Sequence, residues 1–203
     1  MISGEVLAKM AYNAGLFVNP KSLYLPNWVL FVVSVDSLRI YTCDDYIAFT
    51  EVTDLESNKD SYRFIISLED LKSLEKFARA NKKYLITISV TDTEVKFSTS
   101  SQEEDSVVYN LEPMVDENWD IVDMVLFEYG DPLSREGFII RPERLANLSK
   151  LKLSEPEAPL IFKWFSVGSV HFLRAKVGSR IRIGIKEVNI SKVNPEYLWE
   201  KDE

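Results

Sequence analysis

The chain has 203 residues, 46% of them hydrophobic, and a formal net charge of −8 at pH 7. This length allows one large domain or two small ones, and the hydrophobic content is enough for a buried core. The single cysteine excludes an internal disulfide, and the acidic balance argues against nonspecific nucleic-acid binding by the chain as a whole. The lack of an internal disulfide fits a reducing cytoplasm, and no apolar run approaches a membrane span and no signal peptide is expected.

The first unit opens with a predicted helix over residues 3–16, whose apolar side chains recur at helical spacing. Three strand-like segments follow, and a polar connection over residues 53–60 closes the unit. The strands are expected at 28–34, 38–43 and 46–52. The unit is therefore predicted as a helix followed by a short antiparallel meander.

The second unit begins with a strand from Tyr62 that runs directly into a predicted helix over residues 68–82. Ser67 is placed as the N-cap of this helix, and Asp70 three residues on completes a capping-box pattern. Further strands are expected at 84–90, 95–98 and 106–111. Each unit is thus interpreted as a strand, a helix and a short antiparallel meander.

Residues 97–134 contain ten acidic side chains and no basic one. This composition is typical of a solvated loop system, and it also fits a surface that repels DNA or binds a basic partner. Residues 122–129 are apolar enough to predict a strand inside the region.

The third unit is predicted from Gly137, with a strand at 138–140, Pro142 at the first helical position and a helix to about Leu151. Strands follow at 160–167, 171–177 and 181–185. The chain is accordingly divided into a two-unit domain, an acidic connection, and a third unit with a C-terminal tail. Their predicted bounds are 1–115, 116–136 and 137–203.

One apolar cluster, Tyr197-Leu198-Trp199, interrupts the polar tail. It is expected to dock on its own sheet or on a neighbouring subunit, because an exposed cluster of this kind would be a sticky patch. A frayed tail is the alternative.

A nine-residue pattern occurs once in each unit. The segments 2–10, 66–74 and 140–148 share the spacing Ile-x-x-Glu-x-Leu-x-x-Leu/Met, and the last two also keep a Phe-Ile-Ile run. Three matches, each followed by strand-like sequence, indicate an internal repeat. The matched leucines, Leu71 and Leu145, are expected to be buried under the sheet.

Groups suited to catalysis are scarce. His171 is predicted in mid-strand between apolar neighbours, and Cys43 is predicted to be a small strand residue, so neither indicates a nucleophile or a triad. Asp44-Asp45 is interpreted as a strand-end turn. The sequence has no Cys/His zinc set and no phosphate-loop glycine pattern. We expect no enzyme activity, no metal and no cofactor.

Positive charge is concentrated in two windows. Residues 68–83 carry five basic side chains against three acidic ones, and residues 141–152 carry four against one. At about 100° per residue, four basic side chains of the second helix fall within a narrow arc opposite its apolar face. They are Lys72, Lys76, Arg79 and Lys83. Two interpretations fit this pattern: ordinary solvated lysines on an amphipathic helix, or a surface that binds phosphates.

A repeated unit of strand, helix and antiparallel strands, with basic helices in an acidic chain, resembles the sliding DNA clamps. The nearest likeness is to the bacterial DNA polymerase III beta subunit and its shortened phage relatives. It is carried by Ser37-Leu-Arg-Ile-Tyr-Thr-Cys-Asp-Asp-Tyr46, by the helix entries at 64–74 and 138–148, and by Lys176-Val-Gly-Ser-Arg-Ile-Arg-Ile-Gly184. It covers most of residues 1–190 as a pattern rather than as dense identity.

The resemblance implies an α+β fold of DNA-clamp-like repeats, with sheets outside and helices on one face. Two units would make one clamp domain, and domains would join edge to edge into a ring around double-stranded DNA. A DNA polymerase or clamp loader would be the partner of a homo-oligomer in a bacterial or phage-infected cytoplasm. The phosphate-contacting residues implied are Lys72, Lys76, Arg79 and Lys83, and less directly Arg144 and Lys150.

The chain also departs from that family, because three units are counted where a bacterial clamp subunit has six. A closed ring would then need more subunits than usual, or the ring does not close. The predicted function is a processivity factor that tethers DNA in replication. The alternative is a clamp-derived protein that binds a replication or host protein without encircling DNA, and a hydrolase or nuclease is disfavoured. The family's peptide groove lies around its last domain, so no groove residues are assigned.

Overall fold

The computed structural model of the chain describes residues 1–21, 28–56, 60–100, 105–114, 116–127, 131–132, 140, 142–155, 157–167 and 169–188. Over these residues the fold consists of two antiparallel sheets, of four and eight strands, with helices packed against them. None of the described helices has the length and apolar character needed to cross a membrane.

The first two units have the predicted order of elements, with small shifts at their ends. Unit 1 comprises β1 (Ile2–Ser3), α1 (Gly4–Gly15), β2 (Trp28–Val33), β3 (Ser37–Cys43) and β4 (Ile47–Asp54). Unit 2 comprises β5 (Tyr62–Ser67), α2 (Leu68–Ala80), β6 (Leu85–Val90), β7 (Glu94–Thr99) and β8 (Ser106–Asn110).

The remaining elements are a helix and a short strand, then the elements of the third unit. They are α3 (Asp116–Leu126), β9 (Asp131–Pro132), α4 (Pro142–Ala146), a 3₁₀ turn (Leu148–Lys150), β10 (Leu160–Val167), β11 (Val170–Val177) and β12 (Ile181–Lys186). The predicted strand at 138–140 lies largely outside the described residues, as does the tail cluster at 197–199.

The internal repeat is visible in the point at which three helices begin. Ile2, Ile66 and Ile140 each lie two residues before the start of a helix, namely α1, α2 and α4. In the first two copies the isoleucine belongs to a strand and is buried. The sequence pattern therefore marks equivalent strand-to-helix positions, as predicted.

Units 1 and 2 exchange their first strands. β1 of unit 1 pairs with β6 of unit 2, while β5 of unit 2 pairs with β2 of unit 1. The helices α1 and α2 pack side by side, with Gly4 at the start of α1 against Asn81 after the end of α2. A Cβ at Gly4 would overlap the Asn81 carbonyl oxygen, so this close approach requires glycine. The two units consequently share one hydrophobic core.

The third unit extends the sheet of the first. β12 pairs with β4, from Ile181 opposite Glu51 to Ile185 opposite Ile47, and this pairing is called the seam below. The eight-stranded sheet runs in the order β5-β2-β3-β4-β12-β11-β10-β9. Three isoleucines of β12 join the shared core, so the seam is apolar on its helix-bearing face. They are Ile181, Ile183 and Ile185.

A buried polar network crosses the seam. Asn13 of α1 donates from Nδ2 to Glu51 Oε2 and to the Lys152 carbonyl oxygen, each at 3.0 Å. Its Oδ1 accepts from the Lys152 amide at 2.8 Å. Burial raises the pKa of Glu51 to about 7, against the opposing effects of the Asn13 hydrogen bond and the Arg180 charge. The carboxyl group is therefore held mainly in its neutral form below that pH.

The strand predicted at 122–129 is wrong, because residues 116–126 form helix α3. Trp119, Val122 and Leu126 are buried at spacings of three and four residues, which fits a helix rather than the alternation of a strand. These side chains pack on Tyr41 and Ala48 in a second apolar cluster. Since alternate strand residues point to opposite faces, α3 covers the face of the eight-stranded sheet opposite α1 and α2.

One glycine of β12 makes room for α3 on this outer face. A Cβ at Gly184 would overlap Val125 Cγ1 of α3. Arg174 of the neighbouring strand donates from Nε to the Val125 carbonyl oxygen at 2.8 Å. The helix is thus held at the seam by both packing and a hydrogen bond.

The third predicted helix is shorter than expected, because α4 ends at Ala146 and a 3₁₀ turn follows. Leu145, predicted to be buried, is 37% exposed, whereas the matched Leu71 is fully buried. A helix of five residues makes little more than one turn, so it cannot present a continuous apolar stripe. Leu148, in the 3₁₀ turn, packs on the core instead.

We expect Leu71→Ala to lower the free energy of unfolding by about 2–5 kcal/mol, because it opens a cavity in the shared core. Leu145→Ala is the matched change at an exposed position and should alter it by less than about 0.5 kcal/mol. Denaturant unfolding followed by circular dichroism measures both values. Equal losses in the two variants would contradict the assigned burial.

The raised pKa of Glu51 makes stability depend on pH. The folded protein binds this proton more tightly than the unfolded chain, whose carboxyl titrates near 4.5. Stability is therefore expected to fall as pH rises from about 4.5 to about 7, by roughly 3 kcal/mol. Glu51→Gln removes the titration and should flatten this part of the profile. Urea unfolding across that range measures both proteins, and identical profiles would rule out Glu51 as the source.

Candidate nucleic-acid interface

Side-chain hydrogen bonds fix both ends of α2. Ser67 Oγ accepts from the Asp70 amide at 3.1 Å and its hydroxyl donates to Asp70 Oδ2 at 2.8 Å, which confirms the predicted capping pair. At the other end, Asn81 Nδ2 donates to the Phe77 carbonyl oxygen at 3.1 Å and to Asp105 Oδ2 at 2.9 Å. These contacts set the extent of the helix and hence the direction of its side chains.

The two faces of α2 divide as the sequence pattern predicts. Its buried side chains include Leu71, Leu74, Phe77 and Ala78. The basic side chains of the helix and of the residues after it are all exposed. They are Lys72, Lys76, Arg79, Lys82 and Lys83. Lys72, Lys76 and Arg79 therefore line the exposed side of α2, and Lys82 and Lys83 follow its end; these five exposed residues are called the basic stripe below.

Acidic neighbours offset part of the charge beside α2. Arg79 Nη2 forms an ion pair with Glu75 Oε1 one turn earlier in α2. On α1, Lys9 Nζ lies 2.9 Å from Glu5 Oε1, and this contact, with a smaller contribution from Lys82, lowers the pKa of Glu5. Arg79 therefore adds less net charge to the basic stripe than its exposure alone suggests.

The structure brings the third unit's lysines to the other side of α1. Asn147 Nδ2 donates to the Leu16 carbonyl oxygen at 2.7 Å, which ties residues 147–152 to the end of α1. Lys150 is exposed, and its Nζ donates to Asn147 Oδ1 at 3.1 Å. Lys152 Nζ lies 3.6 Å from the centroid of the Tyr12 ring on α1. Lys152 was not among the predicted residues, because its place depends on contacts with a helix far away in the sequence.

Arg144 has a different position from the one predicted. It is only 9% exposed, its Nη1 donates to the Lys186 carbonyl oxygen at 2.7 Å, and its guanidinium lies 4.0 Å from the centroid of the Tyr46 ring. The side chain thus joins α4 to the ends of β4 and β12. We therefore remove Arg144 from the candidate DNA-contacting residues.

Acidic side chains lie on the opposite face of the eight-stranded sheet. α3 belongs to the acidic region 97–134, and it carries the exposed Asp120 and the half-buried Asp123. Because α3 covers the face opposite α1 and α2, the acidic helix and the basic stripe are separated by the sheet. Three basic side chains lie on the same outer face beside α3 and offset part of its charge: Arg39 and Arg182 lie against the Phe127 ring, and Arg174 bonds to Val125.

The single histidine and the single cysteine, considered for catalysis in the sequence, each have a neighbourhood that accounts for them without a catalytic role. His171 Nδ1 lies 2.8 Å from Glu187 Oε2. Cys43 is buried, and burial raises the pKa of its thiol to about 12, so the reactive thiolate is scarce near neutral pH. Among the described residues there is no group of three side chains placed to hold a metal ion.

Comparison with known proteins identifies the fold. No protein-family model matches the sequence, and no curated protein matches it. The structure is similar to a putative DNA polymerase III beta subunit from Eubacterium rectale, with TM-score 0.66, 14% identity, and coverage of 94% of this chain and 65% of that one.

Two further clamps show the same likeness. The first is the Pseudomonas aeruginosa DNA polymerase sliding clamp, with TM-score 0.67, 12% identity, and coverage of 93% of this chain and 65% of that one. The second is a Helicobacter pylori beta clamp bound to a DNA ligase peptide, with TM-score 0.64, 12% identity, and coverage of 99% of this chain and 69% of that one. The fold is therefore α+β and sliding-clamp-like, as predicted. The chain spans roughly two thirds of the length of these clamps.

Arg144→Ala is expected to lower the free energy of unfolding by about 1–3 kcal/mol, because it removes a charged hydrogen bond and the contact with Tyr46. Lys150→Ala, at an exposed position nearby, should change it by less than about 0.5 kcal/mol. Denaturant unfolding compares the two. An Arg144 variant as stable as wild type but weaker on DNA would restore Arg144 to the candidate surface.

Proposed function

We propose that this chain is a sliding-clamp-like factor that tethers DNA during replication and has no enzymatic activity of its own. The observation that carries the proposal is the basic stripe on α2, set on the helix-bearing side of a clamp-like fold and opposite the acidic α3. A clamp-like fold alone would not select a function, because one fold can serve several.

The chemistry of the stripe suits phosphates rather than bases. A lysine ammonium group is a flexible point charge, and contacts to phosphate carry no sequence information directly. Binding would therefore be independent of sequence and would weaken steeply with salt, because each neutralised phosphate releases counterions. The proposed DNA-contacting residues are Lys72, Lys76, Arg79, Lys83 and Lys150. Lys152 is added to them because its contact with Tyr12 holds its ammonium group beside α1.

Retention would come from enclosure of the duplex by several copies of the chain joined edge to edge. The net charge of −8 would keep duplex DNA away from the other surfaces. The similar structures are polymerase subunits and clamps, one of them bound to a DNA ligase peptide. By analogy, the proposed protein partner is a DNA polymerase or a clamp loader, in the cytoplasm of a bacterial or phage-infected cell.

A second candidate function is that of a clamp-derived protein that binds a replication or host protein without encircling DNA. Two observations favour it: the chain spans roughly two thirds of a clamp, and the outer face at the seam is covered by α3. In this case the acidic side chains of α3 would meet a basic surface on the partner.

We expect Lys76→Glu combined with Arg79→Glu to abolish retention on circular duplex DNA. Thermal stability should fall only slightly, because both side chains are exposed and the change replaces the Arg79–Glu75 ion pair with two carboxylates one turn apart. Lys21→Glu combined with Lys186→Glu makes the same change in net charge at exposed lysines outside α2 and should retain DNA. Relative to the wild-type protein, each phosphate contact that a substitution removes should reduce the steepness of log affinity against log salt by about 1.

The outcomes separate the two functions. Equal retention by the α2 double variant and wild type would exclude the basic stripe from the DNA path. Retention that survives linearisation of the circle would argue against enclosure. A wild-type protein that is not retained under any loading condition would favour the interaction protein.

A further inference from the structure

Three cationic side chains lie together on the outer face of the eight-stranded sheet, at the end of α3. The guanidinium carbons of Arg39 on β3 and Arg182 on β12 lie 4.8 and 4.9 Å from the centroid of the Phe127 ring, which directly follows α3. Lys176 of β11 lies opposite Arg182 in the strand register, so it belongs to the same face. Arg39, Lys176 and Arg182 are called the outer cationic cluster below.

The charges of this cluster are not neutralised within the part of the chain that the structure describes. No described carboxylate forms an ion pair with Arg39, Lys176 or Arg182. Like charges directly opposite one another on neighbouring strands are destabilising, and Lys176 and Arg182 form such a pair. Carboxylates are plentiful in the chain, which has 32 acidic residues against 24 lysines and arginines. A negatively charged ligand would therefore relieve a repulsion that the described fold leaves in place.

The two arginines are held in a conformation that leaves hydrogen-bond donors available. Arg39 donates from Nη1 to the Tyr41 hydroxyl oxygen at 3.3 Å, and no described group accepts a hydrogen bond from the Arg182 guanidinium. A guanidinium group against an aromatic ring keeps its in-plane N–H groups free, and these match the two oxygens of a carboxylate. Because both groups contact the same ring, their central carbons are no more than about 10 Å apart.

Apolar side chains lie between the charges. Arg39 is opposite Val32 of β2 on one side and Val52 of β4 on the other. Both valines are half-buried, as is Phe127, so each leaves some apolar surface accessible. The surface therefore suits a ligand that carries apolar groups as well as negative charge.

We propose that the outer cationic cluster binds an acidic segment of a partner protein, with apolar side chains interspersed among its carboxylates. Two carboxylates of the segment pair with Arg39 and Arg182, and a further one meets Lys176. The apolar side chains cover Val32 and Val52. Charge complementarity fixes the position of the segment, and the apolar contacts add to its affinity.

The position of α3 favours a protein segment over duplex DNA as the ligand. Asp123 lies one helical turn before Phe127, and the exposed Asp120 lies about one turn before Asp123. A duplex laid over the cluster would also lie against these carboxylates, which repel phosphates. A short acidic segment places its charges on the cluster and ends there. The contact does not rest on the proposed function, since it requires no enclosure of DNA.

Arg39→Gln combined with Arg182→Gln tests the proposal in the full-length protein. The probe is a fluorescein-labelled synthetic peptide of about twelve residues that alternates pairs of glutamates with pairs of leucines, and fluorescence anisotropy measures its affinity. The double variant should bind it at least about tenfold more weakly, because hydrogen bonds to charged groups are lost. Lys76→Gln combined with Arg79→Gln makes the same change in net charge on α2 and should leave the affinity unchanged. Circular dichroism confirms that both variants fold.

Two single changes separate binding from stability. Lys176→Gln removes one of two opposed like charges, so it should weaken the peptide severalfold without lowering the melting temperature. Arg182→Lys keeps the charge but not the planar fork, and it should also weaken the peptide severalfold. A purely structural role would predict that the affinity falls only where the melting temperature falls.

Several results would overturn the proposal. These are a wild-type protein that does not bind the peptide at about 1 mM, a cluster variant that binds as well as wild type, and an equal loss in the α2 control. A cluster variant that loses affinity for duplex DNA but not for the peptide would identify a nucleic-acid site instead. The cluster variant should be retained on circular DNA like wild type, so failure of this contact is distinguishable from failure of the proposed function.

The chain's own acidic residues outside the described ranges provide a final test. Glu128→Gln is one variant, and neutralisation of Glu200, Asp202 and Glu203 to the corresponding amides is another. The proposal predicts that wild type binds the peptide as tightly as either variant. If the peptide bound only after one of these changes, the chain itself would occupy the cluster, and the assignment to a partner would be wrong.

Discussion

Antiparallel pairing of β4 with β12 is the interaction on which the arrangement of the third unit depends. It joins strands of units 1 and 3 into one sheet and buries the isoleucines of β12 in a core that units 1 and 2 already share. The Asn13 network adds polar contacts between α1, β4 and Lys152 on the helix-bearing face. Gly184 leaves room on the outer face for α3. α3 packs against this seam, whereas Lys150 and Lys152 are placed by contacts with α1.

Charged helices lie on both faces of the sheet. The helix-bearing face carries the basic stripe of α2 and, beyond α1, the lysines of the third unit, while the outer face is covered by α3 with Asp120. Arg39, Arg174 and Arg182 also lie on the outer face, so the acidic side chains of α3 lower its positive charge without making the face uniformly acidic. The exposed lysines of the helix-bearing face nevertheless give a chain with a net charge of −8 a candidate surface for phosphates.

The parts of the fold predicted correctly are those fixed by local sequence. The Ser67–Asp70 cap, the apolar face of α2 and the alternating strands depend on neighbours close in the chain, and all are present. The wrong predictions lie where contacts between residues distant in the sequence determine the secondary structure. The 122–129 stretch was apolar enough for either element, and packing on the outer face selects a helix.

Contacts between residues distant in the sequence also determine which basic side chains belong to the candidate site. Arg144 was placed on the polar side of a longer helix, but α4 is short and turns this side chain toward Tyr46 and Lys186. Lys152 could not be chosen from the sequence, because its position follows from contacts with Tyr12 and Asn13. The domain bounds at 115 and 136, and a DNA-contacting role for the basic stripe, stay predictions.

The central claim is that DNA lies against the basic stripe and not against α3. Site-specific photocrosslinking on closed circular duplex DNA tests it most directly, with the same photoreactive amino acid placed at Lys76 in one protein and at Asp120 in another. Both positions are exposed, so neither insertion should disturb the core. We expect crosslinks from position 76 and none from position 120. Crosslinks from position 120 alone, or equally from both, would contradict the claim.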